Sequence, residues 1–176
     1  MIKAIIFLMA FASFCEANAQ GEYINDYNRI FCYLVKDSAV QNHLISIVDS
    51  DAAVEKWNGK FKINSSLFAL QIFPFSDVLN KNLNSEQIHE LLNVLNASFE
   101  NINTNSFKCR GYKSSPFEVS FSDKKYNLIE VDIEYLMTKQ RKDGTFFRLS
   151  SGESLHVLYK IKENTIINLA TRKITE

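Results

Sequence analysis

From Ile129 to Met137 every second residue is apolar: Ile129, Val131, Ile133, Tyr135 and Met137. Glu130, Asp132 and Glu134 stand between them. Successive side chains of an extended chain point to opposite faces, so the stretch Tyr126–Met137 has one greasy face and one acidic face. A helix would scatter the same residues around its axis. The chain must therefore contain a sheet with a core on one side of this strand. The acidic row is expected on the other side, in water.

The N-terminal residues follow a different logic. Lys3 precedes an apolar run, Ala4–Phe14, and Ala17-Asn18-Ala19 places small residues at a cleavage site. This is the pattern of a secretory signal peptide over residues 1–19, cut before Gln20. The run is short for a bilayer span, which needs about 20 apolar residues. Residues 20–176 are then expected to form a single α+β domain without a membrane span, in the periplasm or secreted. The chain holds 20 basic and 20 acidic residues. This balance leaves no electrostatic footprint for nucleic acid or an anionic membrane.

Export makes the cysteines informative. Cys15 leaves with the signal peptide, and Cys32 and Cys109 remain. In an oxidising compartment the two are expected to pair, closing a loop of about 77 residues. Two free buried thiols are the alternative.

Apolar spacing of three and four predicts helices over Glu22–Lys36, Ala39–Val48 and Ser85–Phe99, with a short one ending at Asn58-Gly59. Asp37 or Ser38 and Asn84 or Ser85 are the expected N-caps. The segment Lys60–Phe75 reads as strand or helix, with an element ending before Pro74. Strands are expected near Phe107–Tyr112, Pro116–Phe121, Tyr126–Thr138, Thr145–Leu149, Leu155–Lys162 and Thr165–Arg172. Asp143-Gly144 and Glu163-Asn164 are expected hairpin turns, and Ser151-Gly152 a bulge or kink.

Helices first and a meander after them predict N-terminal helices packed on one face of a curved antiparallel sheet. The element order from Tyr23 to Arg172, closing on the strand pair HVLYKIKENTIINLATRK, resembles the NTF2-like fold and, more loosely, the cystatin-like roll. The closing strand departs from the family pattern by lacking an aromatic residue followed by glycine. The segment Lys60–Lys81 is longer and more apolar than the family's. The resemblance implies a pocket between the sheet and the helices; it does not imply an activity.

Candidate site residues are few. Glu130, Asp132 and Glu134, with His156 on a neighbouring strand, would make a cation site or a contact for a basic partner. The competing expectation is a solvent-side charge ladder with His156, Lys160 and Lys162, each pair contributing about 0.2–1 kcal/mol. His43, His89 and His156 show no metal-ligand spacing, and no calcium loop accompanies the acidic row, so no metal or cofactor is expected. No nucleophile elbow, P-loop or Rossmann glycine pattern is present. The expected function is an exported, non-catalytic binding protein, of immunity or inhibitor type, acting on a partner in the cell envelope. The alternatives are a pocket protein for an apolar small molecule or lipid, and a small NTF2-like enzyme. An enzyme would need a buried ionisable residue converging with a polar partner.

Overall fold

The computed structural model describes residues 25–47, 57, 59–93, 101–107, 109 and 115–175. The expected signal peptide lies outside these residues. So do most of the short helix expected before Gly59 and the end of the one expected to reach Phe99.

Helix α1 runs over residues 25–34. Its Tyr27, Ile30, Phe31 and Leu34 are all buried, as their spacing requires. Helix α2, Ser38–Ile47, buries Val40, Leu44 and Ile47. Asp37 starts it, its Oδ1 accepting from the N–H groups of Ala39 and Val40 at 2.9 and 3.3 Å. The ambiguous segment resolves into strand β1, Lys62–Phe68, and then helix α3, Ser76–Asn82. Helix α4, Ser85–Asn93, follows. Asn84 and Gln87 close a reciprocal capping box at its start, with bonds of 3.0 and 2.9 Å.

Four more strands complete one sheet: β2 (Phe117–Ser122), β3 (Leu128–Gln140), β4 (Phe146–Lys162) and β5 (Thr165–Thr175). The spatial order is the chain order, β1 to β5. Strand β1 is parallel to β2, and every other neighbouring pair is antiparallel. The sheet is therefore mixed, where an antiparallel one was expected. The β1–β2 connection carries α3 and α4 and so has the length a parallel crossover needs. At Phe107 and Cys109, where a strand was expected, the chain is irregular. Phe107 is nonetheless buried in the core.

The apolar face of β3 is buried as the alternation requires. Ile129, Val131, Ile133 and Tyr135 join residues of β2, β4, α1 and α2 in the main core. Edge-on aromatic contacts link the layers: Tyr27 and Phe31 meet Phe121, and Trp57 packs against Phe61 and Phe117. Cys32 and Cys109 form a disulfide, with Cα atoms 5.4 Å apart, that ties α1 to the segment before β2.

The other face departs from expectation. Leu128, Leu158 and Ala170 lie on it and are buried under Leu70, Phe75, Leu79 and Leu91. Helices α3 and α4 and the crossing around residues 69–75 thus cover one end of the face expected to meet water. The sheet has helices on both sides.

Two turns and a bulge set the strand register. Tyr126 and Asn127 both have positive φ, 52° and 59°, and Lys125 and Leu128 exchange backbone hydrogen bonds across them. This two-residue turn delays β3 to Leu128, two residues after the expected start. At the β3–β4 tip Gly144 has φ 84°, and Asp143 Oδ1 accepts from the Thr145 N–H at 2.9 Å and its hydroxyl at 2.6 Å. Strand β4 is one long element, not two. Its register against β3 jumps from Glu134↔Ser154 to Leu136↔Ser150. Ser151, Gly152 and Glu153 thus oppose the single residue Tyr135, a bulge at the expected Ser151-Gly152 position.

Candidate functional site

Strand pairing brings the acidic row and His156 together. Asp132 sits directly opposite His156, and Glu134 opposite Ser154. Glu130 lies one pair further along the same face and is 0 % exposed. The expectation of a solvent-facing row is therefore wrong for Glu130. The second helical layer closes over its end of the strand, and such burial is tolerable only for a carboxylate with partners. Glu130 has two. Its Oε2 accepts from the N–H of Gln71 at 2.8 Å, and its Oε1 lies 2.7 Å from Nδ1 of His156.

His156 is 6 % exposed, so it does not point outward as the sequence suggested. Its Nε2 lies 2.9 Å from Ser154 Oγ and 3.4 Å from Asp132 Oδ1. With the proton on Nδ1, the imidazole donates to Glu130 and offers a lone pair to the serine hydroxyl. The line Glu130–His156–Ser154 runs from the covered end of the face towards solvent. The predicted charge ladder forms only as far as His156, because Lys160 bonds Asn82 instead, at 3.1 Å.

Above this line lies a cleft of about 300 Å³. Asp132, Glu134, Glu153, Ser154 and His156 line it, with Phe73 on the rim and 78 % exposed. No Lys or Arg is among its described lining residues. Lys173 approaches Glu153 at 3.4 Å, and Arg172, paired across the sheet with His156, is held by Asp77 at 3.1 Å. Both cations are thus attached to carboxylates at the cleft's margin. The bulge forms one wall. There the N–H of Gly152 donates to Ser150 Oγ and that of Glu153 to Ser151 Oγ, each at 3.1 Å.

All four candidate residues, Glu130, Asp132, Glu134 and His156, therefore share one site. His43 and His89 are exposed on helices, away from it. Among the described residues no three His, Cys, Asp or Glu side chains are placed to hold a metal ion. No described helix is long and apolar enough to cross a membrane. Sequence reasoning missed Ser154, although strand alternation puts it two residues from His156 on the same face. It also missed Gln71, whose contact is made by its backbone after a crossing of the sheet that no local pattern encodes.

No protein-family model, curated protein or solved structure matches the chain.

Proposed function

We propose that this chain is an exported binding protein whose cleft receives a basic group of a partner, in the manner of an immunity or inhibitor protein of the cell envelope. The observation that carries the reading is the sign of the cleft. Three carboxylates, Asp132, Glu134 and Glu153, the last also met by Lys173 at the margin, line a cavity with no Lys or Arg among its described lining residues, over a buried carboxylate–imidazole pair. A low-dielectric wall behind surface carboxylates strengthens their attraction for an arriving ammonium or guanidinium. The polar lining supports a charged ligand over the apolar small molecule or lipid considered from sequence. A periplasmic or secreted location is supported by the signal-peptide pattern and by the Cys32–Cys109 bond, of a kind that persists in oxidising compartments. We also read the fold as an NTF2-like roll, supported by α1 and α2 preceding a long β3–β4–β5 meander.

The test is capture from envelope extract by the immobilised mature protein and by its Glu134→Lys/Glu153→Lys variant. The wild type retains a partner that salt elutes, and the variant does not. Equal retention by a folded variant would dispose of the proposal.

A further inference from the structure

We infer that Ser154 is an activated nucleophile and that the cleft transfers acyl groups from neutral or cationic carboxylic esters. The inference goes beyond the binding role at the same cleft and adds to it the contacts of Ser154 and of the Gly152 and Glu153 N–H groups.

Three functions that acyl transfer needs meet here. The first is a base on the nucleophile: Ser154 Oγ lies 2.9 Å from His156 Nε2, within reach of proton transfer. The competing Asp132 oxygen is further off, at 3.4 Å. The second is a group that fixes the base. Glu130, fully buried and anchored by the Gln71 N–H, holds Nδ1 at 2.7 Å and so turns Nε2 towards the serine. A buried carboxylate–imidazole–hydroxyl line defines a nucleophilic triad by role, whatever the fold or chain order. The third is a donor pair for the developing oxyanion. The N–H groups of Gly152 and Glu153, in the bulge just before Ser154, donate only to serine hydroxyls at 3.1 Å. Ser151 Oγ is itself tethered, donating to the Glu153 carbonyl at 3.4 Å, but an oxyanion makes a charge-assisted bond roughly twice as strong as the neutral one it replaces.

The step balances without a co-reactant other than water. Ser154 Oγ bonds the ester carbonyl carbon, and its proton passes to His156 Nε2. The carbon–oxygen bond to the alcohol breaks, and the alcohol leaves with that proton. Water then attacks the acyl-serine, giving one proton to His156, which returns it to Ser154 as the acid departs. Asp132, Glu134 and Glu153 around the cleft disfavour anionic esters and set the substrate class. Glu130 touches no substrate and is a positioning residue.

The experiment treats the mature, disulfide-bonded protein with 4-(2-aminoethyl)benzenesulfonyl fluoride, a cationic reagent, and with uncharged phenylmethanesulfonyl fluoride. Sites are mapped by peptide mass spectrometry. Attack by Ser154 forms an S–O bond and expels fluoride, leaving one sulfonyl group. The expected result is a single adduct at Ser154, formed faster with the cationic reagent and absent after unfolding in urea. His156→Gln slows it roughly 10²-fold or more. Glu130→Gln shifts the midpoint of the pH–rate profile, which a merely structural defect would not. A wild-type protein that gives no adduct at Ser154, or adducts spread evenly over its serines, overturns the inference without any variant having to fold. Equal rates for the cationic reagent and for the anionic 4-(fluorosulfonyl)benzoate overturn the substrate class. Labelling needs no macromolecular partner, so its failure and that of the binding role are separately visible.

Discussion

Glu130 shows what alternation can and cannot tell. The pattern around it identifies two faces of a strand and which is greasy, because a period of two is a local property. Whether a polar face stays wet depends on what is later laid over it, and that is decided by residues 70 to 91. Glu130→Ala would leave His156 and the Gln71 N–H facing an emptied site. Breaking a buried, hydrogen-bonded pair costs about 3–5 kcal/mol. Urea unfolding followed by circular dichroism should show an unfolding free energy lower by about that amount, whereas Glu134→Ala, half-exposed on the same row, should fall within about 0.5 kcal/mol of wild type. Asp143 offers a pH test. Hydrogen bonds from the Thr145 hydroxyl and N–H hold its carboxyl below the ordinary value of 3.8. A lowered native value means the contribution is whole above 3.8 and is lost as pH falls through the lowered one. The protection of the Thr145 amide, relative to its intrinsic exchange rate at each pH, should therefore fall in acid, and Asp143→Asn should remove that pH dependence.

Elements were legible where a pattern and a stop signal coincide. α2 and α4 begin at the expected caps, Asp37 and Asn84. The Asp143-Gly144 and Glu163-Asn164 turns are in place; Gly144 takes the left-handed backbone at φ 84° in the first, and Glu163 takes it at φ 52° in the second. The Tyr126-Asn127 turn was missed because a tyrosine at φ 52° carries no such signal. What holds it is tertiary. The Tyr126 hydroxyl donates to Glu90 of α4, and this bond, more than burial or the charges of Glu90 and Glu86, pushes the phenol up to about 12. The parallel β1–β2 pairing was equally hidden, because alternation gives faces and not neighbours. The bulge was legible through Gly152, which sits at φ 74°. Gly152→Ala would put a Cβ on a left-handed residue and should cost about 1–2 kcal/mol. Chemical denaturation measures that loss, and peptide mapping after sulfonyl fluoride treatment reports whether the wall of the cleft has moved.

At the scale of the whole molecule, the disulfide and the two-sided cover do most to define the fold. Chain-entropy reasoning assigns a loop of 77 residues roughly 4–5 kcal/mol of stabilisation, through the unfolded state. Replacing Cys32 and Cys109 by alanine together should lower the melting temperature by roughly 8–20 °C, read by calorimetry under oxidising conditions. A wild-type sample kept reduced should follow the variant. The helices α1, α2 and α4 and the meander from β2 to β5 were legible because each is specified locally. The second cover was not, since α3 and α4 carry the same kind of stripe as α1 and nothing in a stripe says which side of a sheet it will meet.

Strands β3 and β4 run on past the bulge. Beyond Leu136, whose N–H still donates to the Pro116 carbonyl at 2.7 Å, Met137–Gln140 and Phe146–Leu149 pair only with one another among the described residues, while β2 stops opposite Tyr135 and β5 opposite Glu153. This overhang is a detachable handle. Because the step in register sits between it and the sheet, trimming one residue from each arm, or splicing a reporter into its tip, would leave the inner strands aligned. An experimenter can immobilise or tag the molecule at that tip, which the β4 arm separates from Ser150 on the cleft wall.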